Sequence, residues 1–143
     1  MPNIEPVIKY DHTGTYAPAV GQRASLVVRK TTFDIEGTIK TNLSRPGTGR
    51  IYKAGGTTKR GKGRRTHQAS APGQPPATDT GTLLNSVRAR MLDSLHGLVE
   101  VTAEYAKFLE YGTVRMAARP YFWPAVQEHR DAFVMAMKQV GRL

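Results

Sequence analysis

One stretch of the sequence, residues 45–78, does most to limit what this chain can fold into. It is rich in glycine and proline, and Ile51 and Tyr52 are its only substantial apolar residues. A segment of this composition cannot bury enough apolar surface to offset the entropy lost on ordering. We therefore predict a long mobile loop or arm, with the folded core formed by the sequence on either side.

The same stretch carries most of the chain's charge. The formal net charge is +10, and residues 45–78 contain eight Lys or Arg and no Asp or Glu, so the rest of the chain is close to neutral. We call residues 45–66 the basic arm. Its candidate cations for contact with a partner protein or DNA are Arg50, Lys53, Lys59, Arg60, Lys62, Arg64 and Arg65.

Three interpretations of the basic arm stay open. It could be a solvated loop, an arm that contacts nucleic-acid phosphates, or an arm that docks on an acidic protein. Lys and Arg separated by glycines can follow a phosphate backbone without reading bases, which predicts salt-sensitive, sequence-tolerant binding. Only Tyr52 and His67 could stack on bases, which argues against a dedicated single-strand binder.

A catalytic or metal-binding role has little support in the sequence. Gly56–Gly63 (GTTKRGKG) matches the start of a P-loop, but Gly63 replaces the Ser or Thr that would hold magnesium, and no buried strand or helix pattern flanks it. The chain has no cysteine, and its four histidines show no ligand spacing. Ser86 shows no sign of being a nucleophile. We predict no catalytic residue, cofactor or metal site.

The periodicity of apolar residues predicts three helices. From Ala19 they recur every three or four positions until Pro46, which cannot continue a helix. Residues 104–111 form a short amphipathic helix that Gly112 ends. Pro124 suits the first turn of a final helix with an apolar stripe.

An antiparallel hairpin is predicted between the long helices. After Gly81 apolar and polar residues alternate, and the alternation resumes beyond residue 98. Pairing Leu92 with Leu98 collects the apolar residues on one face and places Arg90 opposite Glu100 on the other. One register therefore satisfies both faces.

The predicted fold class is α+β: a small antiparallel β-sheet packed against a long N-terminal helix and a C-terminal helix, with a long basic loop. We predict one domain over residues 1–143, in which residues 1–18 form an extended N-terminal arm that orders against something else. The N-terminus lacks a signal-peptide pattern, and no apolar run approaches the ~18 residues that span a membrane. These features predict a soluble, intracellularly made protein without a membrane partner.

Aromatic residues are concentrated in one part of the chain. Six of the eleven lie within nineteen residues: Tyr105, Phe108, Tyr111, Tyr121, Phe122 and Trp123. No single helix or strand face can bury three consecutive rings. We therefore predict that at least one of the last three lies at a protein interface.

Three motifs follow one another in the second half of the chain. ASAPGQPPATDTGTLLNSV contains AP and then DTG-x-L-x-x-S, EYAKFLEYGT contains YA-x-x-x-E-x-GT, and MAARPYFWPAV contains a form of RPF and then PA. Over about residues 19–140 the chain closely resembles the neck or tail-completion (head-tail connector) family of long-tailed bacteriophages. The matching positions are Ala71, Pro72, Asp79, Thr80, Gly81, Leu83, Ser86, Tyr105, Ala106, Glu110, Gly112, Thr113, Arg119, Pro120, Tyr121, Pro124 and Ala125, with Tyr121 where Phe is commoner.

The resemblance implies a structural protein of the virion and not an enzyme. Members of that family look like α+β subunits that assemble as six-fold rings at the head-tail junction, after synthesis in the host cytoplasm. The implied partners are other copies of the chain, head-closure or connector proteins, tail terminator or tail tube proteins, and the end of the packaged DNA. A small nucleic-acid-binding protein that uses residues 45–66 is the alternative.

The resemblance also implies roles for particular residues. Asp79-Thr80-Gly81 would turn the chain from the loop into the sheet. Glu110 and Gly112-Thr113 would fix the bend after the short helix. The rings of Tyr121, Phe122 and Trp123 would serve both the core and a subunit interface.

Overall fold

The computed structural model describes residues 18–53 and 66–142. Its first element is the helix α1, Pro18–Leu43, which ends shortly before Pro46. The buried residues of α1 lie on one face of the helix: Ala24, Thr32, Ile39 and Leu43. This confirms the predicted N-terminal helix. Apart from Pro18, the predicted N-terminal arm lies outside the described residues.

The predicted hairpin is present, in a different register. Strands β3, Val87–Met91, and β4, Gly97–Val101, pair in antiparallel fashion. Arg90 pairs with Leu98 and not with Glu100, so the predicted register is wrong by two residues.

The side chain of Asp93 explains the difference in register. Its carboxylate accepts the N–H groups of Leu95 and His96 at 2.8 and 2.9 Å, and the Leu92 N–H donates to the His96 carbonyl at 2.8 Å. These bonds close the turn next to Met91. Because the shift is even, each side chain keeps its predicted face.

A short helix replaces the beginning of the predicted strand. Helix α2 spans Thr82–Ser86, directly after Gly81, which has a left-handed backbone with φ 80°. The Ser86 hydroxyl donates to the Leu83 carbonyl at 2.6 Å within this turn. The prediction that Asp79-Thr80-Gly81 lead straight into the sheet is therefore wrong: they lead into one helical turn, and the strand begins at Val87.

A second antiparallel pair lies within the stretch predicted to be a loop. Strands β1, Ile51–Lys53, and β2, Thr66–Gln68, are its two sides. Bonds from the Gly49 N–H to the Ala69 carbonyl and from the Ala69 N–H to the Arg50 carbonyl extend the pairing toward the body of the protein. Backbone pairing therefore orders this part of the predicted loop or arm, with little help from apolar side chains.

The tip of the basic arm lies outside the described residues. Residues 54–65 include the whole P-loop-like sequence and five of the predicted contact cations: Lys59, Arg60, Lys62, Arg64 and Arg65. Arg50 and Lys53 are described and lie on or beside β1.

The last two helices confirm the predictions made for them. Helix α3 spans Ala106–Tyr111 and is followed by Gly112, whose φ is 77°. Helix α4 spans Trp123–Val140, with Pro124 in its first turn, where a missing backbone N–H does no harm.

The core confirms the α+β fold class, with two separate two-stranded sheets. Helix α1 packs against both the β3–β4 hairpin and α4. The fully buried apolar cluster is small and draws one or two residues from each of these elements and from α3: Ile39, Leu43, Val87, Ala106, Tyr121 and Ala125. None of the described helices is long and apolar enough to cross a membrane.

Candidate interaction surfaces

Glu110 connects α3 to the start of α4. Its carboxylate is buried and accepts the backbone N–H groups of Tyr121, Phe122 and Trp123 at 2.9, 3.0 and 2.9 Å. These are N–H groups at the beginning of a helix, which have no partner within the helix and favour a negative charge. The expected role of Glu110 in the bend after α3 thus takes a specific form: it caps the next helix from a distance.

The turn after α3 is held by close backbone packing. Gly112 has φ 77° and ψ −179°, and a Cβ there would lie 2.8 Å from both the Ala118 nitrogen and the Met116 oxygen. Thr113 exchanges backbone hydrogen bonds with Met116, and the Arg119 N–H donates to the Leu109 carbonyl at 2.7 Å. The turn therefore needs glycine at residue 112 on grounds of both conformation and space.

The three consecutive rings that follow Pro120 have different surroundings. Tyr121 is 2% exposed and belongs to the core, Phe122 is half-buried against it, and Trp123 is 59% exposed. Burial raises the pKa of Tyr121 to about 12, with further contributions from the charges of Glu110 and Tyr105. The expectation that one face cannot bury all three rings is confirmed, while the interface stays a prediction.

Several exposed apolar side chains lie on α3, in the residues next to it and at the start of α4. Phe108 and Tyr111 lie three residues apart on α3, and Tyr111 is 83% exposed. We call the exposed apolar residues of this region the aromatic surface: Tyr105, Phe108, Tyr111, Val114 and Trp123. The sequence-based interpretation missed Val114, which lies in the short turn between Thr113 and Met116.

A cleft of about 190 Å³ brings motif residues from distant parts of the sequence together. Asp79, Thr80, Gly81, Leu83, Tyr105 and Arg119 line it, together with His67 and Ser70. The His67 ring nitrogen Nδ1 lies 3.8 Å from an Asp79 carboxylate oxygen. Ser70 Oγ and Arg119 Nε are buried without a hydrogen-bond partner among the described residues. Ser70 carried no signal in the sequence.

The described part of the basic arm is exposed except at its base. Every residue of β1 is exposed, and the Arg50 guanidinium lies over the Tyr52 ring, 5.5 Å from its centroid. At the base, a Cβ on Gly47 would overlap the carbonyl oxygens of Gln68 and Ala69. Two glycine-permitted backbone contacts, at Gly47 and Gly49, therefore fasten an otherwise solvent-facing hairpin.

A groove of about 460 Å³ lies between α1, the β3–β4 turn and α4. We call it the apolar groove, and its apolar lining consists of Val28, Ile35, Leu95, Val99, Phe122, Val126 and Phe133. Its polar lining includes His129, whose Nε2 is 2.7 Å from the Thr38 hydroxyl oxygen. The sequence-based interpretation did not identify this groove, because its residues come from three elements.

Within residues 18–53 and 66–142, no three His, Asp or Glu side chains lie close enough together to hold a metal ion. No family model, curated protein or solved structure matches the chain. The resemblance to the phage neck family accordingly rests on the motifs alone and stays a prediction.

Proposed function

We propose that the chain is a ring-forming structural subunit of a phage neck, which joins head-closure proteins to the tail. The observation that carries the proposal is the aromatic surface. Five exposed apolar residues lie on α3, beside it and at the start of α4, the helix that Glu110 caps, and exposed Tyr and Trp side chains on a rigid support are typical anchors of protein interfaces. The motif resemblance supplies the identity of the assembly.

The small core supports the same proposal. Among the described residues, six apolar residues form the buried cluster, while large side chains such as Tyr111 and Trp123 face solvent. A subunit that buries further apolar surface against its neighbours gains stability that its own core does not provide. In a closed ring each subunit would present the same two complementary surfaces.

The basic arm also supports the proposal, because a ring would carry one copy of it on each subunit. Its β1–β2 hairpin is exposed, carries Arg50 and Lys53, and leads to five more cations at its tip. In a ring of about six subunits, six such arms would act together, so weak individual contacts with the DNA end or with an acidic neighbour would add. The DNA and the neighbouring protein are alternative targets of the arm.

The assembly state of the protein tests the proposal. We expect the purified chain to form rings, alone or with connector and tail-terminator proteins, in light scattering and electron microscopy. Trp123→Ser should abolish ring formation. Phe33→Ser is the matched control, because Phe33 is a large ring with 43% exposure on α1 and does not belong to the aromatic surface, and this variant should assemble normally.

A nucleic-acid-binding function is the second candidate, and the exposed cations of the basic arm favour it. If wild type stays monomeric beside those partners and binds duplex DNA with a steep salt dependence, the ring proposal is wrong. Changing Arg50 and Lys53 together to Gln should then lower the slope of log affinity against log salt by about 2, one for each lost phosphate contact.

A further inference from the structure

The apolar groove leaves apolar side chains partly exposed to water. Six of its seven apolar lining residues are half-buried, and the seventh, Leu95 in the β3–β4 turn, is 48% exposed. When an apolar segment covers such a surface, water is displaced from both and the free energy of the protein falls. A groove between three elements suits a narrow, extended occupant.

The sequence immediately before α1 has the matching pattern. In an extended conformation, alternate residues share a face, and one face of the segment would carry Ile4, Pro6, Ile8 and Tyr10. The other face would carry Glu5, Val7, Lys9 and Asp11. The prolines at 2 and 6 disfavour a helix in this segment.

The segment is within reach of the groove. Val28 lies ten residues into α1, which at ~1.5 Å per residue is about 15 Å from Pro18. An extended chain covers that distance in about five residues. Residues 4–11 can therefore lie along the groove while the chain remains connected to the start of α1.

The charges are also complementary. Residues 1–17 contain two carboxylates and one lysine, in a chain with net charge +10. The ionisable residues that line the groove are His96, His129 and Arg130, and no acidic side chain is among them. The nearby Asp93 carboxylate is already bonded to His96.

We propose that residues 4–11 of the chain's own N-terminal segment bind in the apolar groove, with Ile4, Ile8 and Tyr10 against its apolar wall and the carboxylates toward Arg130. Attachment to α1 gives the segment a high effective concentration at the groove, so modest contacts suffice. The proposal stands independently of the proposed ring function.

Cysteine pairs test the proposal directly, because the chain has no cysteine of its own. Ile8→Cys combined with Val126→Cys should form an intramolecular disulfide under mild oxidation, seen as a monomer on a non-reducing gel and identified by mass spectrometry. The control pair is Ile8→Cys with Met135→Cys, since Met135 is exposed on α4 and does not line the groove. We expect this pair to oxidise at least ~10-fold more slowly, given the effective concentration at the groove.

Two results would overturn the assignment. Equal oxidation of both pairs would mean that the segment does not prefer the groove. Disulfide-linked dimers from the Val126 pair would mean that the groove takes the segment of a second copy.

A measurement on the intact chain covers the case in which the paired variants do not fold. Ile8→Asp should expose the methyl groups of Val28 and Val126 to a soluble paramagnetic probe in NMR spectra. Val7→Asp changes the opposite face of the segment and should leave those methyl groups protected. An identical response to the two substitutions contradicts the proposal.

Discussion

The capped junction between α3 and α4 and the exposed hairpin of the basic arm are ordered in different ways. At the junction, one buried carboxylate satisfies three N–H groups and a neighbouring tyrosine fills the core. In the basic arm, β1 and β2 have mostly exposed side chains, and backbone bonds and close packing at Gly47 and Gly49 hold the base.

The two regions therefore differ in rigidity. A buried charge bonded to three donors makes the junction part of the cooperative fold, so the side chains around it have fixed positions. A two-stranded hairpin with few buried side chains is marginal by itself and opens at small energetic cost. We therefore expect the junction to present a preformed surface and the basic arm to adapt to its partner.

The largest effect is expected from removing the carboxylate of the junction. Glu110→Ala should lower the free energy of unfolding by about 3 kcal/mol or more, because charge-assisted hydrogen bonds to three backbone donors are lost in a buried site. Denaturant unfolding followed by circular dichroism measures this change. Glu110→Gln retains one acceptor oxygen, so its free energy of unfolding should lie between those of wild type and Glu110→Ala.

Glu128→Gln is the matched control for the junction, since it removes an exposed carboxylate from the same helix α4. It should change the free energy of unfolding by less than about 0.5 kcal/mol. If Glu110→Ala were equally mild, the junction would not be part of the cooperative fold, and the contrast with the basic arm would disappear.

The second effect concerns the glycine of the same junction. Gly112→Ala should destabilise by about 2–3 kcal/mol, because the new Cβ meets the backbone of Met116 and Ala118 in a conformation that only glycine adopts readily. Gly73→Ala is the control, since Gly73 also has a positive φ but a Cβ there meets nothing within 4 Å. It should cost about 1 kcal/mol. Similar thermal shifts for the two variants would show that close packing adds nothing at Gly112.

The third effect should be local. Gly47→Ala forces the base of the basic arm apart, so protease cleavage and amide exchange in β1 and β2 should increase while the global unfolding transition changes little. Gly37→Ala, at an open position of α1, should instead stabilise by up to ~1 kcal/mol. A global loss of stability from Gly47→Ala would mean that the arm and the junction unfold as one unit.

The smallest effect at neutral pH is expected from Tyr121→Phe. The folded-state pKa of Tyr121, about 12, exceeds the ordinary value of 10.0, so the folded state binds the phenolic proton more tightly than the unfolded chain does. This contribution to stability is complete below pH 10 and is lost as the pH rises toward 12.

Denaturant titrations across that pH range test the tyrosine. Tyr121→Phe should remove this part of the alkaline loss of stability, whereas Tyr111→Phe, which removes an exposed hydroxyl from the aromatic surface, should retain it. Equal alkaline losses in Tyr121→Phe and wild type would assign the loss to other groups.

Local sequence signals determined the helices α1, α3 and α4 and the fold class. A helix cannot continue through Pro46, ends at Gly112 and can begin at Pro124. These preferences come from the covalent structure of proline and glycine. The succession of three rings likewise implied that they could not share one environment. Such features can be predicted without knowing which distant residues they contact in the fold.

The tertiary structure decided the features that depend on residues meeting across distance. Glu110 finds its donors 11–13 residues away, and the base of the basic arm depends on Gly47 and Gly49 meeting a second segment near Ala69. The strand register was set by a side-chain bond within a turn, which competes with the apolar pattern and wins. Polar hydrogen bonds and backbone contacts are short-ranged and directional, so they become predictable only when the fold has placed both partners.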